Sequence, residues 1–122
     1  MIDELVATMF LSREMAHRAH LRTSGPGSFA QHMALGEFYP AIVDNADAIV
    51  EAYQGRHGLI DIPYLDAPKD YKDIIKILEK HLSDIETLRY VAVDKKDTAI
   101  QNLIDEAVAT YLSALYKLKN LK

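Results

Sequence analysis

Cysteine and tryptophan are both absent from the 122-residue chain, and glycine and proline are scarce, at five and four residues. Without cysteine there is no disulfide and no thiolate ligand, so any metal ion must be held by His, Asp or Glu. No apolar run approaches the length of a membrane span, and the N-terminal residues lack the basic-then-apolar pattern of a signal peptide. We therefore expect a cytoplasmic protein with no membrane segment.

Positive charge is also in short supply. Fourteen Lys and Arg residues stand against eighteen Asp and Glu residues, which gives a formal net charge of −4. A chain with a net negative charge is poorly suited to neutralise the phosphates of a nucleic acid, so we expect no DNA or RNA partner.

Apolar residues recur at spacings of three and four through most of the chain, a pattern that predicts amphipathic helices. The predicted helices cover about residues 2–20, 29–53, 69–90 and the chain from Thr98 onward. Glycine and proline interrupt the pattern at Gly25-Pro26-Gly27 and again in the connector between the second and third helices. Four such helices predict an all-α four-helix bundle that forms one domain over residues 1–122.

Three of the five histidines, His17, His20 and His32, lie within residues 16–38. A tight turn separates His20, near the end of the first helix, from His32, near the start of the second. The two helices should run antiparallel, which would make these two side chains neighbours. Two interpretations stay open: half-buried imidazoles hydrogen-bonded to nearby groups, or a pair of metal ligands.

Asp47 and Glu51 are four residues apart on the second helix and so lie on one face of it. An acidic pair at this spacing is often only solvated surface, but one close to an apolar edge needs a cation or a partner. Asp47 lies fifteen residues beyond His32, which is about 22 Å along a helix, too far for the two to share an ion. A second copy packed antiparallel about a two-fold axis would bring them together.

The stretch AHLRTSGPGSFAQHMALGEFYPAIVDNADAIVEAYQGRHG resembles the core motif of the Dps proteins, mini-ferritins that bind and oxidise iron. The family pattern combines a His, a Gly-Pro turn, a Phe, a second His twelve residues after the first, then an Asp and a Glu. In this chain the matching residues are His20, Gly25-Pro26, Phe29, His32, Asp47 and Glu51. The last predicted helix also resembles the last helix of that family.

The resemblance implies a ferritin-like bundle and a ferroxidase, an oxidoreductase acting on Fe(II). It further implies a homo-oligomer, at least a dimer and in the family a dodecameric shell that stores ferric mineral. His20 and His32 of one subunit, with Asp47 and Glu51 of its two-fold mate, would then form the iron site. Asp47 would be the bridging carboxylate and Glu51 a terminal ligand.

Four features depart from that family. Leu21 stands where the family usually has Trp, Pro40 lies between the two ligand pairs, and the connector after the second helix is short. The Lys-rich N-terminal arm with which many members bind DNA has no counterpart in the opening residues. These departures leave a second hypothesis open, a shortened ferritin-like scaffold that does not oxidise iron and serves in interaction or assembly.

The remaining histidines have other expected roles. Glu14 and His17 form a single Glu-x-x-His unit, and we interpret them as a surface pair or as support for the metal ligands. His81 lies on the apolar side of the third helix and is predicted to be a hydrogen-bonded core or interface residue. His57 is predicted to lie in a loop.

Overall fold

The computed structural model describes all 122 residues and contains four helices and no strand. They are α1 (Ile2–Arg22), α2 (Ser28–His57), α3 (Ile74–Ala92) and α4 (Thr98–Asn120). The all-α four-helix bundle predicted from the sequence is therefore confirmed. None of the four helices has the length and apolar character needed to cross a bilayer.

Each helix packs against two others, and the diagonal pairs are α1 with α4 and α2 with α3. Contacts near opposite ends give the directions. Arg22, at the end of α1, meets Tyr71, just before the start of α3, and Glu37 of α2 meets Lys117 near the end of α4, so both pairs run antiparallel. Since α1 and α2 also run antiparallel across their tight turn, α2 and α3 point the same way.

Two parallel helices require a connection that returns along the whole bundle. Residues 58–73, which we call the crossover segment, make that return in non-helical conformation. The crossover segment runs alongside α1. Near the end of the segment, the guanidinium of Arg22 donates to the carbonyl of Tyr71 at 3.3 Å. Two antiparallel pairs joined by one long crossover is the connectivity of ferritin-like bundles.

The core lies along the bundle axis and is mostly aliphatic. Burial of each of its Leu or Ile side chains stabilises the fold by about 1.5–3 kcal/mol. The largest side chains with no appreciable exposure are Leu5, Met9, Leu35, Ile42, Ile49, Leu78, Ile85, Ile100, Ile104 and Tyr111.

Two helix boundaries differ by several residues from those predicted, the end of α2 and the start of α3. α2 continues through Gly55 to His57, and Gly58, whose φ is +93°, ends it. His57 is therefore helical, not a loop residue. α3 begins at Ile74, five residues later than expected, because the carboxylate of Asp73 caps it by accepting from the Lys76 amide at 3.2 Å. Pro40 lies inside α2, which continues through it.

Candidate metal-ligand site

The two candidate histidines face each other across the turn that joins α1 and α2. His20 belongs to the last turn of α1 and His32 to the second turn of α2. Between them Gly25 and Gly27 have φ values of +85° and +79°, a backbone region that residues with a side chain rarely adopt. These two glycines reverse the chain in few residues and place the imidazoles side by side.

The histidine pair, His20 and His32, is held by reciprocal hydrogen bonds. Nδ1 of His20 donates to the carbonyl of His32 at 2.7 Å, and Nδ1 of His32 donates to the carbonyl of His20 at 3.0 Å. The rings stack with centroids 3.8 Å apart and planes inclined by 18°. Both side chains are half-buried.

The hydrogen bonds from Nδ1 to the backbone carbonyls determine which ring nitrogen can bind a metal ion. A carbonyl oxygen can only accept, so Nδ1 of each neutral ring carries the proton and Nε2 carries the lone pair. Histidines that bind metal ions almost always donate their other ring N–H to a carbonyl or carboxylate, which fixes the tautomer and the ring orientation. The histidine pair has that arrangement.

Gly36 is a residue of this site that sequence reasoning did not single out. A Cβ at this position would lie 2.9 Å from Cε1 and 3.3 Å from Nδ1 of His20. The missing side chain therefore lets the His20 ring lie against α2. Its place four residues after His32, on the same helical face, is the signal that could have revealed it.

An aromatic cluster extends the site along α1 and α2. The ring of His17 stacks on Tyr39 with centroids 4.2 Å apart and planes inclined by 11°, and Tyr39 lies 5.5 Å from the ring of His20. Glu14 does not pair with His17, because its carboxylate accepts from Arg18 at 2.8 Å and from Arg13 at 3.2 Å. His17 thus supports the neighbourhood of His20 through Tyr39.

Asp47 and Glu51 lie far from the histidine pair in the same chain. Both are exposed, and neither forms an ion pair within the chain. No three His, Asp or Glu side chains come close enough together to hold one metal ion. The single chain therefore brings together His20 and His32, and leaves the two carboxylates apart from them, as the length of one helix requires.

His81 is buried and hydrogen-bonded, in agreement with its predicted role in the core. Its Nδ1 lies 2.6 Å from the hydroxyl of Ser12, which in turn accepts from the hydroxyl of Tyr111 at 2.6 Å. Burial lowers the pKa of His81 to about 4, and burial also raises the pKa of Tyr111. Ser12 and Tyr111 escaped sequence reasoning because each lies within an apolar stripe and resembles an ordinary core position.

Residues 20–118 match a family described as a family of unknown function (DUF5856), and the chain belongs to it. The matched range contains His20, His32, Asp47 and Glu51. No curated protein and no solved structure matches the chain.

Proposed function

We propose that this protein binds Fe(II) as a substrate at a site shared by two subunits and oxidises it, in the manner of the Dps-like mini-ferritins that its motif resembles. The observation that carries this proposal is the histidine pair. Two neutral imidazoles, each fixed through Nδ1 to a backbone carbonyl, present Nε2 as a ligand atom. Imidazole and carboxylate together form a donor set that suits iron.

The chain also carries a face on which a second copy could dock. One outward stripe of α2 has exposed side chains at helical spacing, namely Phe29, Met33, Pro40, Val43, Asp47 and Glu51. Phe29 is 75% exposed and Met33 is 47% exposed, and Phe10 of α1 adds an apolar ring that is 45% exposed beside it. Large apolar side chains left in water on neighbouring helices are typical of an interaction surface.

The charges on this face favour an antiparallel second copy. Where α1 begins and along the second half of α2, the acidic residues are Asp3, Glu4, Asp44, Asp47 and Glu51, and the one cationic side chain, Arg56, is paired with Asp97. The other end carries the histidine pair together with Arg22 and with Arg18, which is paired with Glu14. A two-fold axis would place the acidic end of each subunit against the histidine end of the other, once on each side of the axis. Complementary charges of this kind fix the register of an interface.

The position of the axis follows from the ligands. The midpoint between His32 and the two carboxylates lies near Pro40, so an axis there would place Asp47 and Glu51 of one subunit beside His20 and His32 of the other. Each interface would then contain two equivalent sites.

The imidazoles would bind Fe(II), and the carboxylates, as hard anionic ligands, would favour the ferric product. By resemblance, the oxidant is hydrogen peroxide or dioxygen, and the product is retained inside a hollow homo-oligomer.

Anaerobic Fe(II) titration followed by exposure to peroxide or air tests this proposal. We expect saturable Fe(II) binding and rapid oxidation by the wild-type protein, and loss of both in His32→Ala. His57→Ala is the matched control, because His57 is an exposed histidine on the same helix, and it should behave as wild type. Fe(II) that binds without accelerated oxidation would contradict the ferroxidase and favour the scaffold. A monomer at micromolar concentration would overturn the shared site.

A further inference from the structure

Three polar side chains from three helices form a continuous chain through the centre of the bundle. The hydroxyl of Tyr111 on α4 donates to Oγ of Ser12 on α1 at 2.6 Å, and Oγ of Ser12 lies 2.6 Å from Nδ1 of His81 on α3. Tyr111 and Ser12 have no exposed surface, and His81 is 7% exposed. The proposed iron site uses none of the three.

One arrangement of protons links all three groups, with His81 as the tautomer that is protonated on Nε2. The Ser12 hydroxyl accepts from Tyr111, so its own hydrogen is free to point to Nδ1 of His81. That bond requires a bare Nδ1 and a neutral imidazole. The lowered pKa of His81, about 4 and caused mainly by burial, keeps the ring neutral near pH 7. The hydrogen-bonded series therefore leads from the phenolic proton of Tyr111 to the unprotonated Nδ1 of His81.

We propose that Tyr111 is a redox-active tyrosine, which gives one electron to an outer-sphere one-electron oxidant while its proton moves along this chain. The O–H bond of Tyr111 breaks and its proton passes to Oγ of Ser12. Ser12 releases its own hydroxyl proton to Nδ1 of His81. The products are a neutral tyrosyl radical, an intact serine, an imidazolium and the oxidant reduced by one electron.

The other six tyrosines lack this arrangement. Tyr111 is the one whose hydroxyl donates to another side chain, and it is the one that is fully buried. Its ring packs edge-on against Phe38 with centroids 5.1 Å apart, so a radical there is shielded from the encounters through which exposed tyrosyl radicals couple. The imidazolium left behind is a strong acid in a buried site, so the proton returns when the radical is reduced.

The test uses the metal-free 122-residue protein, which separates it from the proposed iron chemistry. Photogenerated tris(bipyridine)ruthenium(III) supplies the oxidant, and electron paramagnetic resonance and absorbance follow the radical. We expect a short-lived signal from exposed tyrosines and a long-lived signal from Tyr111. Tyr111→Phe should lose only the long-lived signal, while Tyr116→Phe, an exposed tyrosine on the same helix, should keep it.

Ser12→Ala tests the proton path, because it removes the link between Tyr111 and His81 and leaves the ring in place. The long-lived radical should then form roughly a hundredfold more slowly, the lower end of what a positioned proton acceptor contributes. Wild-type protein should form it more slowly in D2O than in H2O, a measurement that needs no variant to fold. A long-lived signal that persists in Tyr111→Phe, or equal rates in the two solvents, would overturn the proposal and leave the chain a structural feature only.

Discussion

Gly36 and His20 approach each other so closely that a Cβ on Gly36 would lie 2.9 Å from Cε1 of the imidazole. The contact links the orientation of the His20 ring to the presence of a glycine inside α2. The His20 ring can reach the carbonyl of His32 only because α2 has no side chain at that point. A glycine in a helix interior costs about 0.5–1 kcal/mol relative to alanine, so this position lowers helix stability while making room for a ligand.

Gly36→Ala should displace the His20 ring and break its bond to the His32 carbonyl while leaving α2 helical. We expect metal affinity to fall by roughly 10–100-fold, as when a partner that orients a ligand is removed. Anaerobic Co(II) titration measures this, and the His20 imidazole resonances in the metal-free protein report the displacement directly.

Gly55→Ala is the matched control for this substitution, because Gly55 lies in the same helix and a Cβ there meets nothing within 4 Å. It should raise the free energy of unfolding by about 0.5–1 kcal/mol and leave Co(II) affinity unchanged. Equal Co(II) affinity in Gly36→Ala and Gly55→Ala would show that the close approach to His20 has no bearing on the site.

His81 makes the stability of the bundle dependent on pH. Burial lowers its pKa from the usual 6.5 to about 4, while Asp84 acts in the opposite direction and Lys80 in the same direction. Ser12 and Tyr111, which face the ring from α1 and α4, are uncharged. Between pH 6.5 and 4 the unfolded chain binds a proton that the folded protein does not, so stability falls with falling pH. The loss should approach about 3 kcal/mol at pH 4.

Urea denaturation at pH 7 and pH 4.5 measures this effect against His81→Asn. Asparagine can offer a carbonyl oxygen to Ser12 but does not titrate, so the variant should lose less stability than wild type over this range. The same pH dependence in wild type and His81→Asn would show that other groups cause it.

The turn between α3 and α4 depends on a buried Arg–Gln pair. Gln101 accepts from Nε of Arg89 at 2.9 Å and donates to the carbonyls of Arg89 and Val93, both at 3.1 Å. Gln101→Leu would remove these bonds from Nε of Arg89 and the carbonyl of Val93, both in buried residues, and we expect a loss of about 2–3 kcal/mol in the free energy of unfolding. Asn102→Leu, at the exposed neighbouring position, should change it by less than about 0.5 kcal/mol. Similar small changes for both variants in urea denaturation would contradict the assigned role of Gln101.

The sequence was informative about the helices because strong apolar periodicity marks them, and less so about their ends. Residues after Pro68 were expected to be helical, but the side chain of Asp73 caps α3 and delays its start to Ile74. α2 was expected to end near residue 53, but the helix continues through Gly55, and the positive φ of Gly58 ends it instead. Such boundaries depend on single capping bonds, which periodicity does not reveal.

The candidate site was predictable in part for similar reasons. A short glycine-containing turn makes His20 and His32 neighbours, and this could be inferred from spacing alone. Their reciprocal bonds to backbone carbonyls depend on side-chain rotamers, which no pattern of residues specifies. The predicted association of Asp47 and Glu51 with the histidine pair requires a second subunit, so it stays a prediction.

Complementation between two inactive variants tests the shared site most directly. His32→Ala and Asp47→Ala are each expected to abolish Fe(II) oxidation, since each removes a ligand from every site. When the two are co-expressed so that subunits mix at random, half of the dimers should contain one chain of each. In such a dimer one site lacks both ligands, while the other combines intact histidines with intact carboxylates.

The mixed preparation should therefore recover roughly a quarter of wild-type ferroxidase activity, because the two-fold axis creates one whole site in each mixed dimer. Native mass spectrometry of the same sample verifies that the subunits have mixed. If His32 and Asp47 acted within one chain, no mixed dimer could contain a whole site. Recovery of about a quarter of the activity is the result that the account predicts, and no recovery from verified mixed dimers would contradict it.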